Sequence, residues 1–319
     1  MSRIYEALQK AESERKLDRN DRELRTPPEQ LDPLPVSSAV SDFDAPVSFA
    51  ESRFVEGVDD APAPISAGGL NLNAVPRYTW NLALHRLPAL QERGPSIEQF
   101  RSLRSRIYEA RDIRPIKSIL VSSGLPQEGK SFISTNLAIS LARHKNSKVL
   151  LIDGDMRRYS VHEMLGTTPS PGLADYLAGK ASVEDVLQRC DESESLQGTP
   201  AINKGVLSNL AFIPGGNGGD KAADLSGSAR FGELLRVVGP LFDWIIVDSS
   251  PVLPVSDAAN LARSCDGVLV VARGGVTKYP VAQRAVAELR ASNVLGFVLN
   301  AVHNAPQVGG YYGYDAARE

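Results

Sequence analysis

Short unbroken apolar runs recur along the chain from residue 119 onward, with longer mixed segments between them. Ile119-Leu120-Val121, Val149-Leu150-Leu151-Ile152, Trp244-Ile245-Ile246-Val247, Val268 to Val271 and Val294 to Leu299 are too short for helices. Their β-branched content predicts strands buried on both faces. Phe132 to His144 and about Pro280 to Ser292 have the length and composition of packed helices. Strands of this kind alternating with helices predict an α/β fold, a mostly parallel sheet with helices on both faces. Upstream, Ile97, Phe100, Leu103 and Ile107 recur at helical spacing behind Ser96, which forms a capping box with Gln99 and opens the folded core. Glu98, Arg101 and Arg104 lie off that stripe, and alone they read as a solvated charged face.

Before residue 96 the pattern changes. Residues 1–25 mix charges with Ile4, Leu8 and Ala11 at helical spacing. This predicts a short amphipathic helix, either a docking element or a marginal solvated one. Residues 26–95 hold ten of the 21 prolines and few long apolar runs, so a disordered, mildly acidic Pro-rich linker is expected there. Residues 96–305 are assigned to the folded core. Residues 306–319 form a tail in which Gly309, Gly310 and Gly313 flank Tyr311, Tyr312 and Tyr314, flexible enough to enter a neighbour's site or to remain a plain disordered end.

Composition removes several function classes. Lys+Arg 35 against Asp+Glu 38 leaves a net charge of −3, without the basic signal of a nucleic-acid binder. No signal-peptide pattern and no apolar run near the 18 or so residues of a membrane span is present, so any membrane attachment is expected to come through a partner. Cys190 and Cys265 form no close-spaced motif, which suits a reducing cytoplasm and supplies no metal site.

The chemistry concentrates at strand ends. Gly124-Leu125-Pro126-Gln127-Glu128-Gly129-Lys130-Ser131 fits G-x-x-x-x-G-K-[ST] between a strand run and the helix opening at Phe132. Free backbone N–H groups at such a junction, with the helix dipole, predict the phosphate-binding loop of a P-loop NTPase, Phe132 included among its contacts. Lys130 would reach the outer phosphates, and the Ser131 hydroxyl would be one ligand of Mg²⁺. Two further strand runs end in Asp153-Gly154-Asp155-Met156-Arg157-Arg158 and Asp248-Ser249-Ser250-Pro251. In an open parallel sheet such ends meet in one crevice. Mg²⁺ prefers hard oxygens, so Asp155 and Asp248 are its natural carboxylates and Asp153 is left to face an acceptor. One such Asp alone would read as a turn or helix cap, whereas three beside a phosphate loop read as metal and catalysis.

Together these features resemble the bacterial tyrosine kinase family, autokinases associated with capsule and exopolysaccharide export. The likeness rests on the Walker A stretch Ser123 to Ser131, D-x-D-x-R at Asp153, Asp155 and Arg157, the apolar run into Asp248, and E-x-x-R-x-x-R at Glu98, Arg101 and Arg104. Gly172-Leu173-Ala174-Asp175-Tyr176-Leu177-Ala178-Gly179 and the tyrosine-bearing tail extend it, from about Ile97 to the C-terminus. The resemblance implies ATP and Mg²⁺ as cofactors, a catalytic set of Asp153, Lys130 and Arg157, and transfer between subunits onto Tyr311, Tyr312 and Tyr314. It further implies ring-like homo-oligomers built through Glu98, Arg101 and Arg104. A membrane-bound polysaccharide co-polymerase would be the activator that recruits a cytoplasmic chain to the inner face of the membrane. Asn300, after the last strand, is either a turn residue or the base-contacting amide that related ATPases place there.

The sequence departs from the family at four points. Asp248-Ser249-Ser250-Pro251 replaces the more usual D-T-P-P, Tyr159 stands where proline commonly follows the two arginines, residues 215–225 lack the usual proline-rich stretch, and the tyrosine cluster is short. Two other functions stay open: a partitioning ATPase of the MinD and ParA type, against which Leu125 replaces the expected lysine, and a non-catalytic nucleotide-binding regulator of a polysaccharide export complex. Asn203-Lys204-Gly205-Val206 lacks the terminal Asp of a guanine-reading motif, which argues against a GTPase.

Overall fold

The computed structural model describes residues 70–144, 147–196 and 205–302. Eight strands form one sheet in the order β1-β4-β5-β3-β6-β2-β7-β8. They are β1 (Arg77–Tyr78), β2 (Ser118–Ser123), β3 (Val149–Asp153), β4 (Gln188–Cys190), β5 (Leu210–Ile213), β6 (Trp244–Asp248), β7 (Gly267–Arg273) and β8 (Val294–Asn300). Every pair is parallel except β4 with β5. The five predicted runs are β2, β3, β6, β7 and β8, and they form the parallel part of the sheet together with β5.

Neighbouring residues of one strand enter different cores. Leu120, Leu150, Ile152, Ile245 and Val247 pack into one apolar cluster, and Ile119, Val121, Val149, Leu151, Trp244 and Ile246 into the other. Side chains alternate across a strand, so a sheet covered on both sides needs apolar residues at every position, which is why these runs show no period of two. Strand β8, at the sheet edge, departs from the expectation of full burial, with Phe297 and Leu299 exposed. Four helices of nine residues or more supply much of the cover: α1 (Pro95–Ile113), α2 (Lys130–Ala142), α3 (Arg230–Val238) and α4 (Tyr279–Glu288). Phe100 and Ile107 of α1 and Leu137, Ile139 and Leu141 of α2 join the second cluster, whereas Phe231, Leu234 and Val238 of α3 and Ala285 of α4 join the first. Among the described residues no helix is long and apolar enough to cross a membrane.

Two local expectations are corrected. Helix α1 starts at Pro95 with Gly94 as its N-cap and no side-chain cap, so Ser96 lies inside the first turn and the Ser96–Gln99 capping box does not form. Proline suits that position because its missing N–H would have no helical partner. The larger correction concerns the linker assigned to residues 26–95. From Leu70 onward this segment belongs to the sheet and the core: β1 pairs with β4, and Trp80, Leu87, Ala89 and Leu90 are buried. Its apolar residues are spaced by prolines and short 3-10 turns rather than by a regular period, so no periodic pattern announces them. Residues 1–25, the rest of that linker and the tail from 303 lie outside the described residues.

Asn136 of α2 and Arg143, the C-cap of that helix, fasten this strap. Asn136, fully buried, accepts from Ala89 N at 3.0 Å and donates through Nδ2 to the carbonyls of Arg86 at 3.0 Å and Phe132 at 2.9 Å. Arg143 Nη1 donates to the carbonyls of Ala89 at 2.7 Å and Gln91 at 2.6 Å. Gly166, at φ +65°, lets the Asn81 backbone lie where a Cβ would otherwise stand. Replacing Asn136 with Ala leaves buried backbone groups of the strap unpaired, and should cost about 2–3 kcal/mol of stability in urea unfolding. The Ala89 amide should then exchange faster with solvent; unchanged protection would mean that apolar contacts alone hold the strap.

Candidate functional site

Strands β2, β3 and β6 lie side by side, and each ends in a segment predicted to carry chemistry. Beyond β2 the chain turns through Gly124 to Gly129 into α2. Ser123 Oγ donates to the Leu125 carbonyl at 2.7 Å, and the Leu125 amide donates to Glu128 Oε2 at 2.8 Å. Gln127 has φ +63° and Gly129 φ +96°. A non-glycine residue holds such a backbone only where its surroundings impose it. At Gly129 a Cβ would collide with the Asn300 amide, so this glycine answers to its neighbour as well as to any phosphate.

Asp153 and Asp248 are direct partners across the β3–β6 ladder, and both are fully buried. Their environments differ. Asp153 Oδ1 accepts from Asp155 N at 3.2 Å, and Oδ2 accepts from Ser160 N at 3.0 Å and Val161 N at 3.1 Å. Asp153 therefore does not stand free toward an acceptor as expected; it organises the turn that carries Asp155. Burial, and then the Asp248 charge, hold its carboxyl well above the usual range against those amide bonds. Neither oxygen of Asp248 has a hydrogen-bond partner. Burial pushes this carboxyl up to about 6, with the nearby Lys130 ammonium pulling the other way; the Ser134 hydroxyl donates instead to the Ser131 carbonyl at 3.1 Å.

Lys130 Nζ lies 3.9 Å from Asp155 Oδ2, both side chains nearly buried. Arg157 is held by buried Asp257, Nε to Oδ2 at 2.7 Å and Nη2 to Oδ1 at 3.4 Å, which further favours its charged form. Of the two serines that depart from D-T-P-P, Ser249 Oγ donates to the Val121 carbonyl at 3.0 Å, whereas the buried Ser250 hydroxyl has no partner among the described residues and only its carbonyl accepts, from Ser122 Oγ at 2.7 Å. These bonds join the ends of β2 and β6.

A cavity of about 520 Å³ collects many of the predicted residues: Pro126, Gln127, Gly129, Lys130, Ser131, Phe132, Asp155 and Arg157. Arg158 and Arg86 also line it. Arg86 was missed because it sits on the strap read as a linker. Gly124, Leu125, Glu128, Asp153 and Asp248 do not line the cavity; they stand behind or beside the groups that do. Asn300 faces a separate cavity of about 500 Å³ shared with Gln99, Phe100 and Leu103 of α1, and its Nδ2 donates to the Glu128 carbonyl at 2.9 Å. Of the α1 charges, Arg101 pairs with Glu98 at 2.5 Å, and Arg104 donates to the Ser140 carbonyl of α2 at 2.7 Å. Tyr311, Tyr312 and Tyr314 lie outside the described residues.

Among the described residues no group of three or more His, Cys, Asp or Glu forms a metal cage. Mg²⁺ does not require one, since it keeps waters and takes one or two carboxylates beside substrate phosphates. Unpartnered Asp248 behind Ser131, with Asp155 on the cavity wall, fits such a cation.

No sequence-family profile matches the chain. Tyrosine-protein kinase wzc of Salmonella typhimurium is 32% identical over 227 residues, which cover 69% of this chain and 29% of that protein. Tyrosine-protein kinase YwqD of Bacillus subtilis is 32% identical over 205 residues, 64% of this chain and 80% of its own length. The solved kinase domain of Escherichia coli tyrosine kinase ETK superposes with a TM-score of 0.58 at 29% identity, covering 68% of this chain and 80% of that one. The chain thus spans under a third of the length of the Salmonella relative.

The raised Asp248 carboxyl sets a pH signature. The folded protein keeps a proton there that the unfolded chain releases near 3.8, so stability falls as pH rises from about 4 to about 6. Above that window the buried charge costs about 3 kcal/mol. Urea unfolding in EDTA across pH 4–7 should show this loss in the parent, and Asp248→Asn should reduce it without abolishing it, because buried Asp153 is raised in the same direction; curves parallel to the parent would place the charge elsewhere.

Proposed function

The chain belongs to the bacterial tyrosine-protein kinase family, and from that membership we propose that it transfers the γ-phosphoryl group of ATP to tyrosine hydroxyls. The observation that carries the proposal is the convergence of Lys130, Ser131, Asp155 and Arg157 on one cavity, with an unpartnered buried carboxylate, Asp248, behind it. Phosphoryl transfer passes through a loose transition state, and catalysis consists mainly of positioning and charge stabilisation. Lys130 and Arg157 supply fixed positive charge facing the phosphates. Asp257 keeps Arg157 extended over the cavity, and Asp155 and Asp248 with the Ser131 hydroxyl would hold Mg²⁺. When bound, that ion neutralises charge developing on the phosphate oxygens. Asp153 fixes the Asp155 turn through its backbone bonds.

The acceptors we propose are Tyr311, Tyr312 and Tyr314, reached between subunits of a homo-oligomer that uses Glu98, Arg101 and Arg104. Their glycine neighbours and the family relationship support this. Arg101 and Arg104 make intramolecular bonds in the described conformation, so assembly would require them to exchange partners. In this reading a membrane-bound polysaccharide co-polymerase recruits the chain to the membrane and activates it in exopolysaccharide or capsule export. The partitioning-ATPase alternative gains nothing from the site, where Leu125 occupies the lysine position.

A phosphotyrosine blot of the full chain incubated with Mg·ATP tests the activity. Lys130→Ala should lower the rate by at least about a hundredfold, since a charge clamp on a transferring phosphoryl group is worth several kcal/mol, with the circular dichroism spectrum unchanged. Phosphotransfer at the parent rate would move the site elsewhere.

A further inference from the structure

The phosphate loop is held in shape by a residue about 150 positions away. Glu128 is almost fully buried inside the loop, and both its carboxylate oxygens and its carbonyl are committed. Its Oε2 accepts the Leu125 amide at 2.8 Å, its carbonyl accepts Asn300 Nδ2 at 2.9 Å, and Oε1 is hydrogen-bonded to the Thr277 hydroxyl. Thr277 lies in the turn between β7 and α4. There Oγ1 accepts the Arg273 amide at 2.8 Å and the Thr277 amide returns to the Arg273 carbonyl at 2.9 Å. Because a backbone N–H fills the acceptor side of this hydroxyl, its proton is free to point at the carboxylate, which can only accept. The same region touches the loop a second time: a Cβ on Gly124 would lie 3.0 Å from Val281 Cγ1 of α4.

We propose that Thr277 is a positioning residue for the phosphate loop, acting through Glu128. Neither side chain lines the nucleotide cavity. Together they fix the direction of the Leu125 amide and help impose the left-handed backbone at Gln127, so the loop's N–H groups are aimed before a phosphate arrives. Binding then needs less ordering of the loop, which is where preorganisation raises affinity. The inference rests on the reading of residues 124–131 as a nucleotide site.

Two measurements on the full chain test it: MgADP affinity by titration calorimetry, and hydrogen exchange at the Leu125 amide without nucleotide. Thr277→Val should weaken MgADP binding about tenfold, in line with losing a hydrogen bond to a charged group, and should speed Leu125 exchange. Thr277→Ser keeps the hydroxyl and should stay within about twofold of the parent. Glu128→Gln weakens the same bond from the other side, so adding Thr277→Val to it should change affinity little, as coupled partners do. If Thr277→Val alone fails to fold, Glu128→Gln reads the brace by the same two measurements. Parent-like affinity and exchange in Thr277→Val, equal impairment in Thr277→Ser, or effects that multiply in the double variant would each overturn the proposal. A parent that does not bind MgADP would overturn the nucleotide reading instead, and Leu125 exchange would still decide the brace.

Discussion

Two carboxylates buried next to each other at the ends of β3 and β6 are the constraint around which this molecule is arranged. Like charges in a low-dielectric interior repel strongly, and each pays for leaving water. Asp153 is stabilised by backbone amides from a turn that the chain folds around it. Asp248 is not, and its compensation comes from the Lys130 ammonium at the start of α2. The loop, the first turn of α2 and the Asp155 turn are thereby drawn to one point. A fold that only needed stability would place an apolar residue at 248; an acid retained there is what the proposed cation site requires.

The central strands were legible because a doubly covered sheet writes itself as unbroken Val, Ile and Leu runs. The phosphate loop was legible because its glycines, lysine and serine sit at fixed spacing between a strand and a helix. The strap was not, since Trp80, Leu87 and Leu90 pack into the second apolar cluster from an irregular segment, anchored through its backbone by Asn136 and Arg143, that carries no repeating pattern. Arg86 was lost with it. Side-chain orientation was also beyond the motif: the spacing D-x-D put Asp153 at the site, but the amides of Ser160 and Val161, seven and eight residues on, turned it inward. Asn300 was found at the right strand end, yet its amide serves the loop backbone.

The sites share material. Phe132 lines the cavity beside the phosphate-loop motif and also the second cavity beside α1, and Asn300 lines the second while bonding the loop that forms the first. Arg104 of α1 bonds the backbone of α2, the helix that begins with Lys130. A change at α1 therefore has short covalent and hydrogen-bonded routes to the phosphate loop, all through groups that already contact one another.

The strap also bears on where this folded unit can be cut. A boundary drawn at residue 96, as hydrophobic periodicity suggests, would remove an indole, two leucines and the partners of Asn136 while leaving every motif intact. The shortened protein would score as complete by its signature residues and yet carry an open apolar trench along α2. Low solubility or weak activity of such a fragment would report on the missing lining of the trench, and the first 26 described residues belong in any minimal version of the domain.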